Sequence, residues 1–393
     1  MKAGKSTLLN AIVCQDLLPS RGPAMTVLPT HVVPVCRRSV PEPVLTLASA
    51  TAAQLGTIAA RLTAPDRRTA VDAAMERHPQ LASAAARSQQ QTGSFPRRLN
   101  GTEAVRQGLA DLNDLLRLAL LALPEEIALR EVRALRAPEV VVPVPWLASD
   151  PAGGWLVLVD TPGPDEDLLP GVLNHFVEEE IRRAHEVLVI LDATRHGSTA
   201  EAVVARLLTT VAPSPGRAET FTVLNRADLV GEEEPRPGTR RLPIAAGASG
   251  HAVRTVARQG LAAASVLWSQ PGTGQSGKMT AHFLRTVFPL DWEERTASLS
   301  AERVHTLAQQ TWDRSGIPAV MDQFIDCRGR DPGGWALARL LARLAPLTGP
   351  PAPPQHPAAP RKPPNDLADL ANRRHQVAHA ARSHYAGLAI EWR

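Results

Sequence analysis

Aromatic residues are scarce: six Phe, seven Trp and a single Tyr make up 4% of 393 residues. The core must therefore be built mainly from Leu, Val, Ile and Ala. Cysteine is scarcer still, with only Cys14, Cys36 and Cys327, odd in number and widely spaced. That spacing suggests neither a disulfide framework nor a zinc site, and it suits a reducing compartment. The histidines show no ligand spacing and default to surface or packing roles. No run approaches ~18 uninterrupted apolar residues, which argues against a spanning helix. The N-terminus also lacks the charged-then-apolar pattern of a signal peptide. A net charge of +4 gives no direct nucleic-acid signal at this length. These absences lead to the expectation of a soluble, cytoplasmic protein.

What is present is 44% apolar residues, ordinary for a globular chain and too many for disorder throughout. The length allows two domains, or one large domain with an appendage. Proline is abundant at 35 residues, and arginine far exceeds the four lysines, a bias expected of a GC-rich genome rather than of any function.

Short Val-, Leu- and Ile-rich runs at 138–146, 154–160, 187–193 and 220–225 suit buried strands of a largely parallel sheet. Residues 168–186 and 198–210 read as helices between them, so the pattern is α/β. Residues 47–136 break it. There Val105, Leu109, Leu112, Leu116, Leu120 and Leu123 recur at helical spacing, and the segment reads as a helical insertion whose Leu stripe is core. From 251 to 345 the chain again looks helical. Residues 346–364 hold nine prolines in nineteen positions and read as an extended linker, and 365–393 as a short helical tail. No internal repeats are visible.

The chain opens Met1-Lys2-Ala3-Gly4-Lys5-Ser6-Thr7, the end of a phosphate-binding loop G-x-x-x-x-G-K-[ST] running into a Leu-rich helix. Gly4 lets backbone amides curl around a phosphate, and the helix offers its free N–H groups and positive dipole end. Lys5 reaches the β- and γ-phosphates, and the Ser6 hydroxyl can ligate Mg²⁺. The first glycine of the pattern would precede Met1, and the strand that carries such a loop is expected to be missing.

Two further motifs follow in order. Leu156 to Gly163 is an apolar strand ending in D-x-x-G, where Asp160 can serve Mg²⁺ and the Gly163 amide can sense a γ-phosphate. Phe221 to Asp228 is another, ending in N-R-x-D. Asp228 can accept two hydrogen bonds from guanine N1 and N2, and Asn225 can tie this loop to the phosphate loop. Between the phosphate loop and D-x-x-G, Pro23 to Thr30 is a proline-framed loop in which Thr26 is the first choice for a switch threonine and Thr30 the reserve, against the plainer reading of a surface turn. The sites expected for GTP are therefore Ala3, Gly4, Lys5, Ser6, Thr7, Asn225, Arg226 and Asp228, with Ser6, Thr26 and Asp160 for the metal.

These strings resemble the bacterial dynamin-like GTPases, and within them the subgroup that binds the replication sliding clamp and helps keep sister nascent strands together. The likeness covers 1–36, 138–210 and 220–228 well, is weaker around 286–325, and is absent after about 345. It implies an α/β P-loop GTPase: a dynamin-type G domain over 1–250 with the helical insertion, then a C-terminal helical stalk fragment over 251–345. It also implies GTP hydrolysis with Mg²⁺ and self-association as a dimer or oligomer through the G domain. A clamp-associated context is implied although no clamp-binding peptide is present. The one similar string, Gln15 to Pro19, reads as core and loop.

The residues also depart from the pattern. Pro164 stands where small GTPases carry a water-positioning Gln; dynamin relatives also lack that Gln, so its absence does not imply inactivity. Lys2 could supply a catalytic cation in cis, alongside Thr26 and Gly163, or could be a solvent-facing loop lysine. Arg226 replaces the usual Lys, its stem still able to cover a base. Residues 243–247, where a base-closing loop belongs, lack clear side-chain chemistry, and Asp192 reads as a turn residue. A membrane-remodelling role stays open without a basic-apolar paddle to favour it. The rival reading from another class is a truncated, non-catalytic helical interaction module.

Overall fold

The computed structural model describes residues 3–20, 26–90, 95–150, 155–163, 170–195, 219–230, 252–268 and 276–326. All of these lie within one compact unit spanning Met1–Pro346. Lys2, Pro164, the helix expected at 198–210, residues 243–247, Cys327 and everything beyond lie outside the described residues.

The chain begins with helix α1 (Lys5–Ile12), then strands β1 (Thr30–Cys36) and β2 (Val44–Thr46). Helices α2 (Ser49–Leu62), α3 (Arg68–Arg77) and α4 (Ala82–Gln90) follow. Next come strand β3 (Arg98–Asn100), the long helix α5 (Thr102–Ala122) and α6 (Glu125–Arg133). Strands β4 (Glu139–Val144) and β5 (Leu158–Asp160), helix α7 (Pro170–Arg183), and strands β6 (Glu186–Asp192) and β7 (Glu219–Asn225) complete the centre. Strand β8 (Val253–Thr255) leads into helices α8 (Ala257–Leu267), α9 (Ser276–Val287), α10 (Trp292–Ser298), α11 (Ala301–Arg314) and α12 (Ile317–Met321).

The strands form two sheets. One is five-stranded in the order β3-β2-β4-β1-β5, the other three-stranded in the order β6-β7-β8. The expected parallel pairing holds for β6 and β7, and β8 joins β7 in the same sense. In the first sheet only β1 and β4 run parallel, while β5 pairs with β1, and β2 with both β3 and β4, in antiparallel fashion. Among the described residues no strand joins the free edge of β5 to that of β6.

Two local readings change. Strand β5 is shorter than the apolar run 154–160, because only Leu158–Asp160 find partners on β1, and Trp155 and Val157 are left 55% and 45% exposed. The stretch from 251 starts with a strand, not a helix: β8 hydrogen-bonds to β7, so the second sheet continues past residue 250. Gly316 allows this close packing. Its φ of +74° is a left-handed value, and a Cβ there would overlap the Arg254 carbonyl of β8.

Two apolar clusters hold the fold. The first packs α1 residues Leu8, Leu9 and Ile12 with Val32 and Val140 of the sheet and with Ala263, Phe283, Trp312 and Ile317 from the C-terminal helices. The second lies within the insertion, around Leu55, Ile58, Leu81, Leu116 and Val132, and takes in Val27 and Leu28 from the loop before β1. The Leu stripe of α5 is core along its whole length, but it divides: Val105 and Leu109 belong to the first cluster, Leu112 to Leu123 to the second. Gln15 to Pro19 is also interior in part. Leu17 and Leu18 are 1% and 2% exposed, and the Asn10 amide accepts from both their N–H groups. No helix of the described residues is long and apolar enough to cross a membrane.

Candidate functional site

Helix α1 starts without a side-chain cap and without an acidic residue in its first turn. Its first N–H groups and positive dipole end are thus left for an external anion rather than satisfied by a neighbouring carboxylate. Gly4, the residue before the helix, has φ +86°, and a Cβ at this position would overlap the Asn225 amide nitrogen. Any other residue would push that side chain away and strain the turn. Lys5, Ser6 and Thr7 fill the first turn, all partly exposed.

The ends of three strands converge on this turn. Asp160, the last residue of β5 and 2% exposed, accepts from the Ser6 hydroxyl at 2.8 Å and from the Thr26 hydroxyl at 3.2 Å. Both bonds fall on the same carboxylate oxygen, Oδ2. A buried carboxylate is stable only with such donors around it, and hydrogen bonds to a charged acceptor are the stronger kind. Thr30, the reserve switch residue, is instead a buried strand residue in register with Asp160. Gly163 is buried three residues beyond Asp160.

On the other side, Asn225 ends β7 and is 4% exposed. Its Nδ2 donates to the Ala3 carbonyl at 2.9 Å, and its Oδ1 accepts from the Thr255 hydroxyl at 3.2 Å and the Ala257 N–H at 3.0 Å. One amide thereby fastens the turn before α1, the end of β8 and the start of α8. Since Asp160 and Asn225 both reach residues 3–6, the carboxyl ends of β5 and β7 face the same turn. In the parallel sheet of β6, β7 and β8 this is the edge at which ligands of open α/β sheets bind.

The base-reading end is more open. Asp228 is exposed on a short 3₁₀ turn and Leu229 beside it is 67% exposed. Arg226 adopts a left-handed φ of +63° and its Nη1 pairs with Asp192 Oδ2 at 2.9 Å. The other oxygen of Asp192 accepts from the Thr194 N–H at 3.0 Å and hydroxyl at 2.6 Å, a turn of the expected kind. Burial pushes the Asp192 carboxyl up, but the Thr194 bonds and then the Arg226 and Arg195 charges outweigh it, and its pKa lies below the ordinary value.

The residues fit a hydrated divalent cation and phosphate. Two hydroxyls and a carboxylate are hard oxygen donors of the kind Mg²⁺ prefers. Among the described residues there is no competing group of three or more His, Cys, Asp or Glu side chains that could hold a metal. Sequence reasoning missed Asn113 of α5. Its Oδ1 accepts from the Val27 N–H at 2.6 Å and the Leu28 N–H at 3.4 Å, next to Thr26. The available signal was an Asn four residues after Leu109, on the apolar stripe of a long helix.

Comparison with known proteins agrees with this geometry. The profile of the Dynamin family matches residues 1–227. The chain is 31% identical over 237 residues to the clamp-binding protein CrfC of Escherichia coli strain K12, and to the same degree to CrfC of Escherichia coli. The alignment covers 58% of this chain and 30% of the relative, so the chain spans less than a third of the length of the curated relatives it matches. With the family profile covering more than half of the chain, and with a P-loop turn set against D-x-x-G and N-R-x-D strand ends, this protein belongs to the Dynamin family and has the α/β fold of a P-loop GTPase.

Proposed function

We propose that the chain binds GTP with Mg²⁺ and hydrolyses it to GDP and phosphate. The observation that carries this reading is the convergence of the Ser6 and Thr26 hydroxyls on one oxygen of Asp160. Ser6 follows the phosphate-loop lysine, Thr26 lies in the switch position and Asp160 opens D-x-x-G, so three separate segments supply one set of oxygen donors. The turn around Gly4 and the uncapped start of α1 receive the phosphates, with Lys5 as the neutralising cation. Asp228, open to solvent, reads the guanine edge, and Asn225 keeps that loop in register with the turn. Bound Mg²⁺ would neutralise charge on the phosphate oxygens, held through Ser6, Thr26 and Asp160. Thr26 and the Gly163 amide engage the γ-phosphate end only in the triphosphate state. Lys2 supplies positive charge in cis as negative charge develops on the leaving phosphate oxygen.

Self-association through the nucleotide face and a clamp-associated role in chromosome replication extend the same reading. They are supported by family membership and by the clamp binding for which the relatives are named. Sedimentation of the chain with GDP and with a non-hydrolysable GTP analogue tests the first: a mass independent of nucleotide refutes it.

The activity is tested by titrating the 393-residue chain with fluorescent GTP and Mg²⁺, competed by unlabelled GTP and ATP. Displacement by GTP alone, lost in Lys5→Ala, is expected. In the same assay Lys2→Ala should lower turnover far more than affinity. Absence of guanine-specific binding refutes the reading and favours a non-catalytic helical interaction module.

A further inference from the structure

We infer that Asn113 is a positioning residue for the nucleotide site, and that through it the helical insertion holds the Thr26 loop in its working place. The inference rests on the nucleotide-binding reading above. It starts from where the two residues after Thr26 are found. Val27 and Leu28 are 1% and 0% exposed and pack within the apolar cluster of the insertion, among residues of α2 and α5, rather than against the sheet.

Their backbone N–H groups enter that interior too and need acceptors there. Asn113, itself 2% exposed, supplies one oxygen for both: 2.6 Å to the Val27 N–H and 3.4 Å to the Leu28 N–H. Its orientation is fixed from behind, because Nδ2 donates to the Leu109 carbonyl one turn earlier in α5 at 2.8 Å. Turning the amide over would set its NH₂ group against the Val27 N–H, donor against donor.

The loop is thus held on both sides of one peptide unit. Thr26 reaches Asp160 with its hydroxyl, and the next N–H reaches Asn113. The position of the Thr26 hydroxyl therefore depends on where α5 stands relative to β5. Movement of α5 changes the placement of Thr26, and by linkage a nucleotide that draws in Thr26 acts back on α5 with the same coupling. The insertion is not merely a bundle added to the sheet. It provides the second anchor of the switch loop, and whatever binds its helices is coupled to the γ-phosphate end of the site.

The test compares GTP-analogue and GDP affinities of the full chain with those of Asn113→Ala. GDP affinity should stay near the parent value, because Thr26 acts only on the triphosphate form. The preference for the triphosphate should fall by about tenfold, the scale of one lost buried hydrogen bond. Leu81→Ala controls for general loosening, since Leu81 is a 0% exposed core residue of the insertion outside these hydrogen bonds; it should destabilise the bundle and keep the preference. A second measure needs no variant: amide exchange of the parent chain with GTP analogue against GDP should slow at Val27 and Leu28 and also along residues 109–116 of α5. An unchanged preference in Asn113→Ala overturns the inference, as does slowing that stops at the loop. So does an equal loss in Leu81→Ala. If the parent chain binds neither nucleotide, the reading on which the inference rests fails and the inference falls with it. If it discriminates between them and α5 is indifferent, only the inference fails.

Discussion

Replacing Asn225 with Ala removes one side chain and three hydrogen bonds at once. The bonds run to the Ala3 carbonyl, the Thr255 hydroxyl and the Ala257 N–H, at 2.9, 3.2 and 3.0 Å. Each contributes about 1 kcal/mol net, and a buried partner left unpaired costs about 1–3 kcal/mol. Water cannot easily replace the lost acceptor at Ala257, which is 1% exposed. The Thr255 hydroxyl, 0% exposed as a residue, is similarly enclosed. The expected loss is therefore about 2–4 kcal/mol, a large share of the ~5–15 kcal/mol that holds a domain together.

Urea unfolding followed by Trp fluorescence measures this loss, and amide exchange at Ala257 localises it. Asn225→Asp separates the two sides of the hub. It keeps the acceptors for Thr255 and Ala257 and loses the donor to Ala3, so the Ala257 amide should remain protected while guanine-nucleotide affinity falls. A change below about 0.5 kcal/mol in Asn225→Ala, within the range of ordinary surface substitutions, would refute the account of Asn225 as a hub.

Two further expectations concern titrating groups. The folded Asp192 carboxyl has a lowered pKa, so it contributes stability that is present above its unfolded value of ~3.9 and lost as pH falls through the folded one. Asp192→Asn should flatten the acid limb of stability below about pH 4, read from unfolding midpoints against pH, and an unchanged limb contradicts this. Burial pushes the Cys14 thiol up to about 12 against the opposing charge of Arg37. Cys14 should therefore stay unalkylated by iodoacetamide at pH 8 while the unfolded chain reacts fully, as mapped by peptide mass spectrometry. Labelling of native Cys14 at the unfolded rate contradicts it.

The motifs were legible because their chemistry is local. Gly4 must curve, Asp160 must end a strand, and Asn225 must stand beside a turn; each requirement fixes a residue type at a spacing. The strands β4, β6 and β7 were legible for a related reason, since short runs of Val, Leu and Ile in both directions from a buried centre admit few other structures. Strand β3, Arg-Leu-Asn, carried no such signal: it is three residues long at a sheet edge, and its pairing with β2 comes from a distant segment. Strand β8 was hidden likewise by its length, three residues before a helix. Asn113 showed only as a polar residue on an apolar stripe, and its role was hidden for a different reason. Its partners lie 85 and 86 positions away, so nothing near it in the chain shows why a Leu would not serve.

Helix α5 is a member of both apolar clusters, with Val105 and Leu109 in one and Leu112 through Leu123 in the other. At 1.5 Å per residue its 21 residues make a rod of about 30 Å. A helix loses stability steeply when interrupted, because restarting it requires a new nucleus. The two cores are consequently not separate folding units set side by side. Opening either one exposes half of a continuous helix whose other half is still packed, so local unfolding of the bundle and of the sheet region share a barrier. The insertion, which by position looks like an accessory, is written into the cooperativity of the whole fold.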